Sequence, residues 1–174
     1  MKVTGYQLRE ALRHWRTVLD GAATDLKNSL YYFDDNDKVD PIVVAEDYKK
    51  AEDAVAKLEE AQQRYNLYVK VEIAGEEKTL AYAIKAIGMA SRFASTWKIL
   101  TVDKETSRRG WGDTYDRVRN KDEVHAKRSI AKEDATKVRN AANKHAADIR
   151  QTVALANATK VDIDIPAALV NFGR

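Results

Sequence analysis

The segment SRRGWGDTYDRVR, residues 107–119, carries side chains whose types and spacing suit ligand chemistry. Arg108 and Arg109 can form bidentate hydrogen bonds to a phosphate group. Trp111 and Tyr115 offer ring faces on which a nucleobase can stack. The segment therefore predicts a site for an anionic, nucleotide-like small molecule or for single-stranded nucleic acid. The candidate ligand-binding residues are Arg108, Arg109, Trp111, Tyr115, Arg117 and Arg119.

The same segment also has a purely structural interpretation. Asp113 and Asp116 offset much of the positive charge of the neighbouring arginines. Trp111 can pack onto a nearby helix while the arginines pair with an acidic helix elsewhere in the chain. We favour this interpretation, and the ligand site stands beside it as the alternative.

A second cluster of polar residues lies in YFDDNDKVDP, residues 32–41, which holds four aspartates. A calcium loop of the EF-hand type that begins at Asp35 needs an oxygen ligand at its fifth position and glycine at its sixth. Those positions are Val39 and Asp40 here. The segment therefore predicts a polar connection between two helices, in which Asp40 caps the second helix, and no metal site.

Other signatures of enzymes and metal sites are missing from the sequence. The chain contains no cysteine, which excludes thiolate ligands, disulfides and cysteine nucleophiles. It has neither a glycine-rich phosphate loop before a helix nor a G-x-S-x-G motif. The histidines His14, His125 and His145 are scattered, and His145 is predicted on the inner face of the last helix as a packed polar side chain. We predict no catalytic residue, no metal and no cofactor.

Length and charge narrow the class of protein further. A chain of 174 residues fits a single helical domain, residues 1–174. No apolar run approaches the roughly 20 residues that span a bilayer, and the first residues lack the apolar core of a secretory signal. We expect a soluble cytoplasmic protein with no membrane partner. The net charge of +3 is too small to indicate nucleic-acid binding by itself.

Helix and strand signals alternate along the N-terminal half. Thr4 and Gln7 have the spacing of a capping box, and apolar residues then recur every three or four positions as far as Leu30. Asp40 and Pro41 restart a helix as N-cap and first helical residue. The predicted elements are a helix from Thr4 to Leu30, a second helix from Pro41 to Arg64, and an alternating strand from Leu67 to Ile73.

The C-terminal half is predicted in the same way. Gly75 supplies a turn and Thr79 caps a third helix. The predicted elements are a helix from Leu80 to Leu100, an irregular loop insertion over residues 101–122, a helix from Glu123 to Asn157, and a strand over Val161–Ile165 that pairs with the first strand. The expected fold is mainly α: antiparallel long-helix hairpins, about four helices in all, with a small two-stranded β-ribbon.

Several short motifs resemble one family. They are LREAL at Leu8–Leu12, the acidic loop that ends in Asp40-Pro41, TLAYAI at Thr79–Ile84, and ANATKVDI at Ala156–Ile163. In this order they resemble the small bacterial and phage helical proteins that carry the name septicolysin. Ile87 and Gly88 stand where that family tends to carry an Arg-Asp pair. The resemblance implies a long-helix hairpin that assembles into oligomers, and it implies no established reaction.

The inward-facing positions of the predicted helices suggest self-association. Many of them are alanine, which buries little apolar area, so long helices of this kind gain by packing against another copy. Residues 34–60 hold ten acids against four bases, while residues 104–150 hold thirteen bases against eight acids. Segments of opposite sign predict mutual neutralisation within the fold or between subunits. We therefore expect a homo-oligomer.

Three functions remain open from the sequence. The first is a non-catalytic, homo-oligomeric helical protein, encoded by a phage or other mobile element, that binds or organises a partner such as a host protein. The second is a sequestering module that holds an anionic nucleotide-like small molecule at subunit clefts, against host signalling. The third, which we rank last, is nucleic-acid binding by bases of the final helix. Those bases are Lys127, Arg128, Lys132, Lys137, Arg139 and Lys144.

The sequestering hypothesis makes a prediction about the double variant Arg108→Ala/Trp111→Ala. The amount of an added mononucleotide that the variant binds should be lower than in the parent protein by a factor of about ten or more. The reason is that a bidentate phosphate contact and a stacking face are both lost. Native mass spectrometry after incubation with AMP reports bound mass and assembly state together. Lys121→Ala, a base just beyond the segment, is the control. Equal uptake by the double variant and the control would reject this site.

Overall fold

The protein is mainly α-helical, as the sequence predicts. The computed structural model describes residues 1–33, 39–102 and 129–172. The helices are α1 (Gly5–Asn28), α2 (Pro41–Tyr68), α3 (Leu80–Ile99), α4 (Lys132–Ala156) and the short α5 (Ala167–Val170). The strands are β1 (Lys2–Val3), β2 (Lys70–Ile73), β3 (Glu76–Thr79) and β4 (Val161–Asp162).

Two compact units divide the chain. The first comprises residues 1–85 together with 149–174, and the second comprises residues 86–148. The first therefore holds α1, α2, both pairs of strands and the end of α4, while the second holds most of α3 and the larger part of α4. A single domain over 1–174 stays a prediction. Of the predicted insertion over 101–122, only Thr101 and Val102 lie within the described residues, where they form a turn.

Helices α1 and α2 form an antiparallel hairpin whose starting signals are confirmed. The Thr4 side chain accepts a hydrogen bond from the Gln7 backbone and Gln7 reciprocates, which completes the predicted capping box. Along the pair, Arg16 contacts Glu59 at 2.6 Å between Nη2 and Oε1. Farther along α1, Ala22 and Val44 line a common cleft. As the residue number increases along α1, the number of the neighbouring α2 residue decreases. The two helices therefore run in opposite directions.

The predicted first strand begins later than expected. Helix α2 continues to Tyr68, and β2 begins only at Lys70, so Leu67 and Tyr68 are helical rather than extended. A fully buried Tyr65, whose backbone carbonyl accepts from Val69 N–H at 3.0 Å, continues the helical register beyond Arg64. Burial of the tyrosine outweighs the local β propensity of the segment.

A tight turn and a cap link α2 to α3. Ala74 and Gly75 have φ values of 54° and 82°, and β3, which the sequence did not predict, follows and pairs antiparallel with β2. Gly75 therefore forms the expected turn, here closing a hairpin. Thr79 caps α3 as predicted, because its Oγ1 accepts from Tyr82 N–H at 3.1 Å.

The predicted pairing of the last strand is wrong. Strand β4 pairs antiparallel with β1, a two-residue strand at the start of the chain, with Val3 opposite Val161. The structure thus has two separate two-stranded sheets. Buried side chains account for the choice, since Val3, Ile163 and Ile165 are each at most 6% exposed. Pairing with β1 places these three apolar residues in the core of the first unit.

Helix α4 also differs from its prediction. Residues 129–131 are not helical, and the helix begins at Lys132, whereas the predicted start at Glu123 lies outside the described residues. Glu133 and Asp134 then occupy the first turn, where negative charge favours the helix dipole. His145, predicted to face inward, is exposed, while Ala146 and Ile149 are buried.

A buried tyrosine joins both long helices of the hairpin to the end of α4. The Tyr65 hydroxyl lies 2.9 Å from the carbonyl oxygen of Ala156 and 2.8 Å from that of Thr159. Gly5 packs against the same ring and against Asn157, and Tyr6 N–H donates to the Asn157 carbonyl at 3.4 Å. We call the four residues Gly5, Tyr65, Asn157 and Thr159 the glycine–tyrosine junction.

The junction predicts opposite effects of two glycine-to-alanine substitutions in α1. A Cβ on Gly5 would lie 2.8 Å from Tyr65 Cε1 and would also overlap Asn157 Oδ1, so Gly5→Ala should cost about 1–3 kcal/mol of unfolding free energy. Gly21 is helical and has no atom within 4 Å of its virtual Cβ, so Gly21→Ala should add about 0.5–1 kcal/mol. Urea unfolding followed by circular dichroism measures both. Equal effects of the two variants would contradict the close approach at Gly5.

Hydroxyl removal tests the same junction. Tyr65→Phe should lower the free energy of unfolding by about 1–2 kcal/mol, because two partly buried carbonyls lose their donor. Tyr6→Phe is the matched control. Its hydroxyl donates to the Ala154 carbonyl at 2.8 Å, but the bond is exposed and water can replace the donor. A loss as large in Tyr6→Phe as in Tyr65→Phe would contradict the assignment.

The Tyr65 hydroxyl also predicts a pH dependence. Burial raises the pKa of the phenol because it disfavours the charged form. Stability from this group is therefore fully present below the unfolded-state pKa of about 10, and it is lost as pH rises from there through the higher folded-state pKa. Above about pH 10 the free energy of unfolding should fall less steeply in Tyr65→Phe than in the parent protein, because the variant lacks this phenol.

Candidate functional site

The ligand-binding residues predicted from the sequence all lie outside the described residues, so the site that they would form stays a prediction. They are Arg108, Arg109, Trp111, Tyr115, Arg117 and Arg119. Asp34, Asp35 and Asp37 of the acidic connection lie outside them too. Asp40 is described, and its Oδ1 accepts from Ile42 N–H at 2.9 Å, which confirms its role as the N-cap of α2.

No group of three or more potential metal ligands occurs in the part of the chain that the structure describes. Two pairs have spacings that bring side chains together on a helix: Glu10 with His14, and His145 with Asp148. His14 is stacked on Phe172, with 4.2 Å between ring centroids and 2° between ring planes. A pair alone falls short of the ligand count that a metal site in a protein needs.

An acidic cleft of about 370 Å³ lies between the helices at the loop end of the hairpin. The carboxylates of Asp25 and Asp47 line it, and the Lys50 ammonium contacts Asp47 Oδ1 at 2.9 Å. That hydrogen bond, with the charge of Asp47, raises the pKa of Lys50. Two carboxylates disfavour a phosphate ligand, so this cleft does not suit the anionic molecule predicted for residues 107–119. The lining residues are Ala22, Asp25, Asn28, Ser29, Tyr31, Val39, Val44 and Asp47.

A smaller cleft of about 240 Å³ lies beside the His14–Phe172 stack. Glu10, Arg13 and Thr17 complete its lining. Arg13 pairs with Glu10 at 3.0 Å, so its positive charge is already partly neutralised. The cleft combines one stacked imidazole with a neutralised arginine, which offers little to hold an anion.

Large apolar side chains are exposed where α1 and α2 meet the connecting loop. Tyr31 and Ile42 are 83% and 72% exposed, and Phe33 is fully exposed. Tyr31 and Val39 line the same cleft, so residues from both sides of the connection lie close together. We call this set the hairpin-end patch. It comprises Leu30, Tyr31, Phe33, Val39, Ile42 and Val43.

Helix α3 has a second exposed apolar surface. At about 100° per residue, Met89, Arg92, Phe93 and Ile99 fall within about 120° of the helix circumference. The three apolar members are 49–64% exposed, whereas Ala94, on the opposite side of the helix, is buried. We call Met89, Arg92, Phe93 and Ile99 the α3 face. The sequence analysis predicted the helix but not this exposed surface.

The basic residues of α4 do not form one surface. Lys137 and Lys144 lie about 120° or more around the helix from Lys132 and Arg139. Lys137 is also paired with Asp134 at 3.0 Å. Lys127 and Arg128 lie outside the described residues. Within the described part of α4, the bases are thus divided between two sides of the helix, which weakens the prediction of a continuous nucleic-acid surface.

Acidic side chains of α2 form ion pairs with nearby bases. Asp53 pairs with Lys57, and Glu60 pairs with Arg64, both one helical turn away. Glu59 pairs instead with Arg16 of α1. Within the described part of the chain, these acids pair with bases of α1 and α2 and not with bases of residues 104–150. Mutual neutralisation of the two oppositely charged segments stays a prediction.

No protein-family model, curated protein or solved structure matches the chain. None of the helices in residues 1–33, 39–102 and 129–172 is long and apolar enough to cross a membrane. The resemblance to septicolysin stays a prediction.

Proposed function

We propose that the protein is a non-catalytic, homo-oligomeric helical protein that works by binding and assembly. One observation carries the proposal. In the described residues, exposed large apolar side chains outnumber buried ones, and nine of the buried apolar residues are alanines. Scattered apolar residues are normal on a protein surface, but groups such as the hairpin-end patch and the α3 face are typical of interaction sites.

The physical advantage of assembly follows from those residues. A buried alanine contributes little apolar area, whereas a large side chain contributes about 1.5–3 kcal/mol when it becomes fully buried. In a single copy, side chains such as Phe33, Ile42 and Met89 are exposed to water and do not contribute this free energy. Contact with a second copy is the most direct way to remove them from water, because every copy carries the same exposed groups.

The other two hypotheses have less support. The described bases of α4 are split between two sides of the helix, which weakens the nucleic-acid hypothesis. The sequestering function rests on Arg108, Arg109 and Trp111, which lie outside the described residues. The resemblance of the helix and loop motifs to septicolysin agrees with assembly, which that resemblance implies.

The proposal predicts a homo-oligomer in solution. Native mass spectrometry, compared with the mass of the denatured chain, should give an integral multiple of the 19.6 kDa subunit. Sedimentation velocity over a hundredfold range of protein concentration tests whether the species persists on dilution. The added mass in the native spectrum also reports any small molecule that is carried through purification.

Each outcome of this experiment has a definite meaning. An oligomer without added mass supports assembly as the function. An oligomer with a stoichiometric anionic ligand would move the sequestering function to first place. A species that remains a monomer at the highest concentration would overturn the proposal.

A further inference from the structure

The two exposed apolar surfaces differ in the sign of the charge around them. Asp25 and Asp47 line the same cleft as Tyr31 and Val39 of the hairpin-end patch. The described Asp40 lies between Val39 and Ile42 of the patch. Helix α3 has the opposite character. Lys85, Arg92 and Lys98 are its charged residues, and residues 80–102 contain no acid.

We propose that the hairpin-end patch of one copy docks on the α3 face of a second copy. This inference rests on the homo-oligomeric function proposed above and names the two surfaces that make it. The occupant of each surface is therefore the other surface of another molecule of the same chain.

Charge decides among the three possible pairings. Two hairpin-end patches in contact would bring together two surfaces that each carry Asp25, Asp40 and Asp47. Two α3 faces would bring together two helices that carry only positive charge. Patch against face is the pairing that sets opposite charges together, and like charges across an interface discriminate strongly against the wrong partner.

The side-chain chemistry of the two surfaces is also complementary. The patch offers the rings of Tyr31 and Phe33, and the face offers Met89 and Phe93 beside the guanidinium of Arg92. A guanidinium gains by lying over an aromatic ring, and a methionine adapts its shape to an irregular neighbour. Aromatic residues, methionine and arginine are the residue types enriched in protein interfaces.

Pairing of two different surfaces has a geometric consequence. Each copy carries one patch and one face, so association closes as a reciprocal two-fold dimer or a larger ring, or continues as a filament. A dimer that joins two patches or two faces is not the expected product.

Two variants separate the surfaces. Phe33→Ser/Ile42→Ser alters only the patch, and Met89→Gln/Phe93→Gln alters only the face. All four side chains are at least 49% exposed, so the fold should persist, and circular dichroism checks that it does. Each variant alone should weaken self-association by about a hundredfold or more, because each loses two large apolar contacts.

The decisive experiment mixes the two variants in equal amounts. The patch variant keeps an intact face and the face variant keeps an intact patch, so the mixture should form a one-to-one dimer that grows no further. Sedimentation velocity and native mass spectrometry measure its mass. Leu67→Gln/Leu155→Gln, which removes two equally exposed leucines outside both surfaces, should assemble as the parent protein does.

The possible failures can be told apart. A parent protein that is monomeric overturns both this inference and the proposed function. An oligomeric parent overturns this inference alone under either of two results. The first is a mixture of the variants that stays monomeric. The second is a patch variant or a face variant that assembles normally, which would mean that a different surface of the chain makes the contact between copies.

Discussion

The close approach of Gly5 to Tyr65 is the contact on which the first unit depends. Without a side chain at residue 5, the start of α1 lies directly against the tyrosine ring and the Asn157 side chain. The Tyr65 hydroxyl then reaches two carbonyls, one at Ala156, the last residue of α4, and one at Thr159, just beyond the helix. One buried ring thereby fixes three chain segments, and the same contacts bring residues 161–165 back beside the start of the chain.

The degree of packing falls with distance from that junction. The buried residues of α1 lie between Gly5 and Leu12, and those of α2 between Ala51 and Tyr65. From Arg13 to Asn28 no residue of α1 is buried, and the same holds for Pro41–Lys50 of α2. The hairpin is thus anchored at one end, whereas its loop end opens into a cleft and exposes apolar side chains. Its tight packing and its exposed surface lie at opposite ends of the same pair of helices.

Local signals in the sequence were sufficient for the starts of α1, α2 and α3 and for their caps. Thr4, Asp40 and Thr79 each mark a helix start because one side-chain oxygen satisfies a nearby backbone N–H. Long-range choices could not be predicted this way. A two-residue strand such as β1 has no periodicity to detect, and the continuation of α2 through Tyr68 depends on a ring buried against segments about 90 residues away. The exposed surfaces were missed for the same reason, since exposure depends on what the rest of the chain covers.

A protein without a catalytic motif can still have chemically specific surfaces. An apolar patch alone identifies no partner, because the hydrophobic effect is non-directional and favours contact with any apolar surface. Charge supplies the missing selectivity. The absence of acids along residues 80–102, beside Met89 and Phe93, favours a partner that is both apolar and acidic. The hairpin-end patch, which lies beside Asp25, Asp40 and Asp47, has that combination within the same chain. The proposed pairing therefore sets an acid-free helix against an acidic surface in a protein of small net charge.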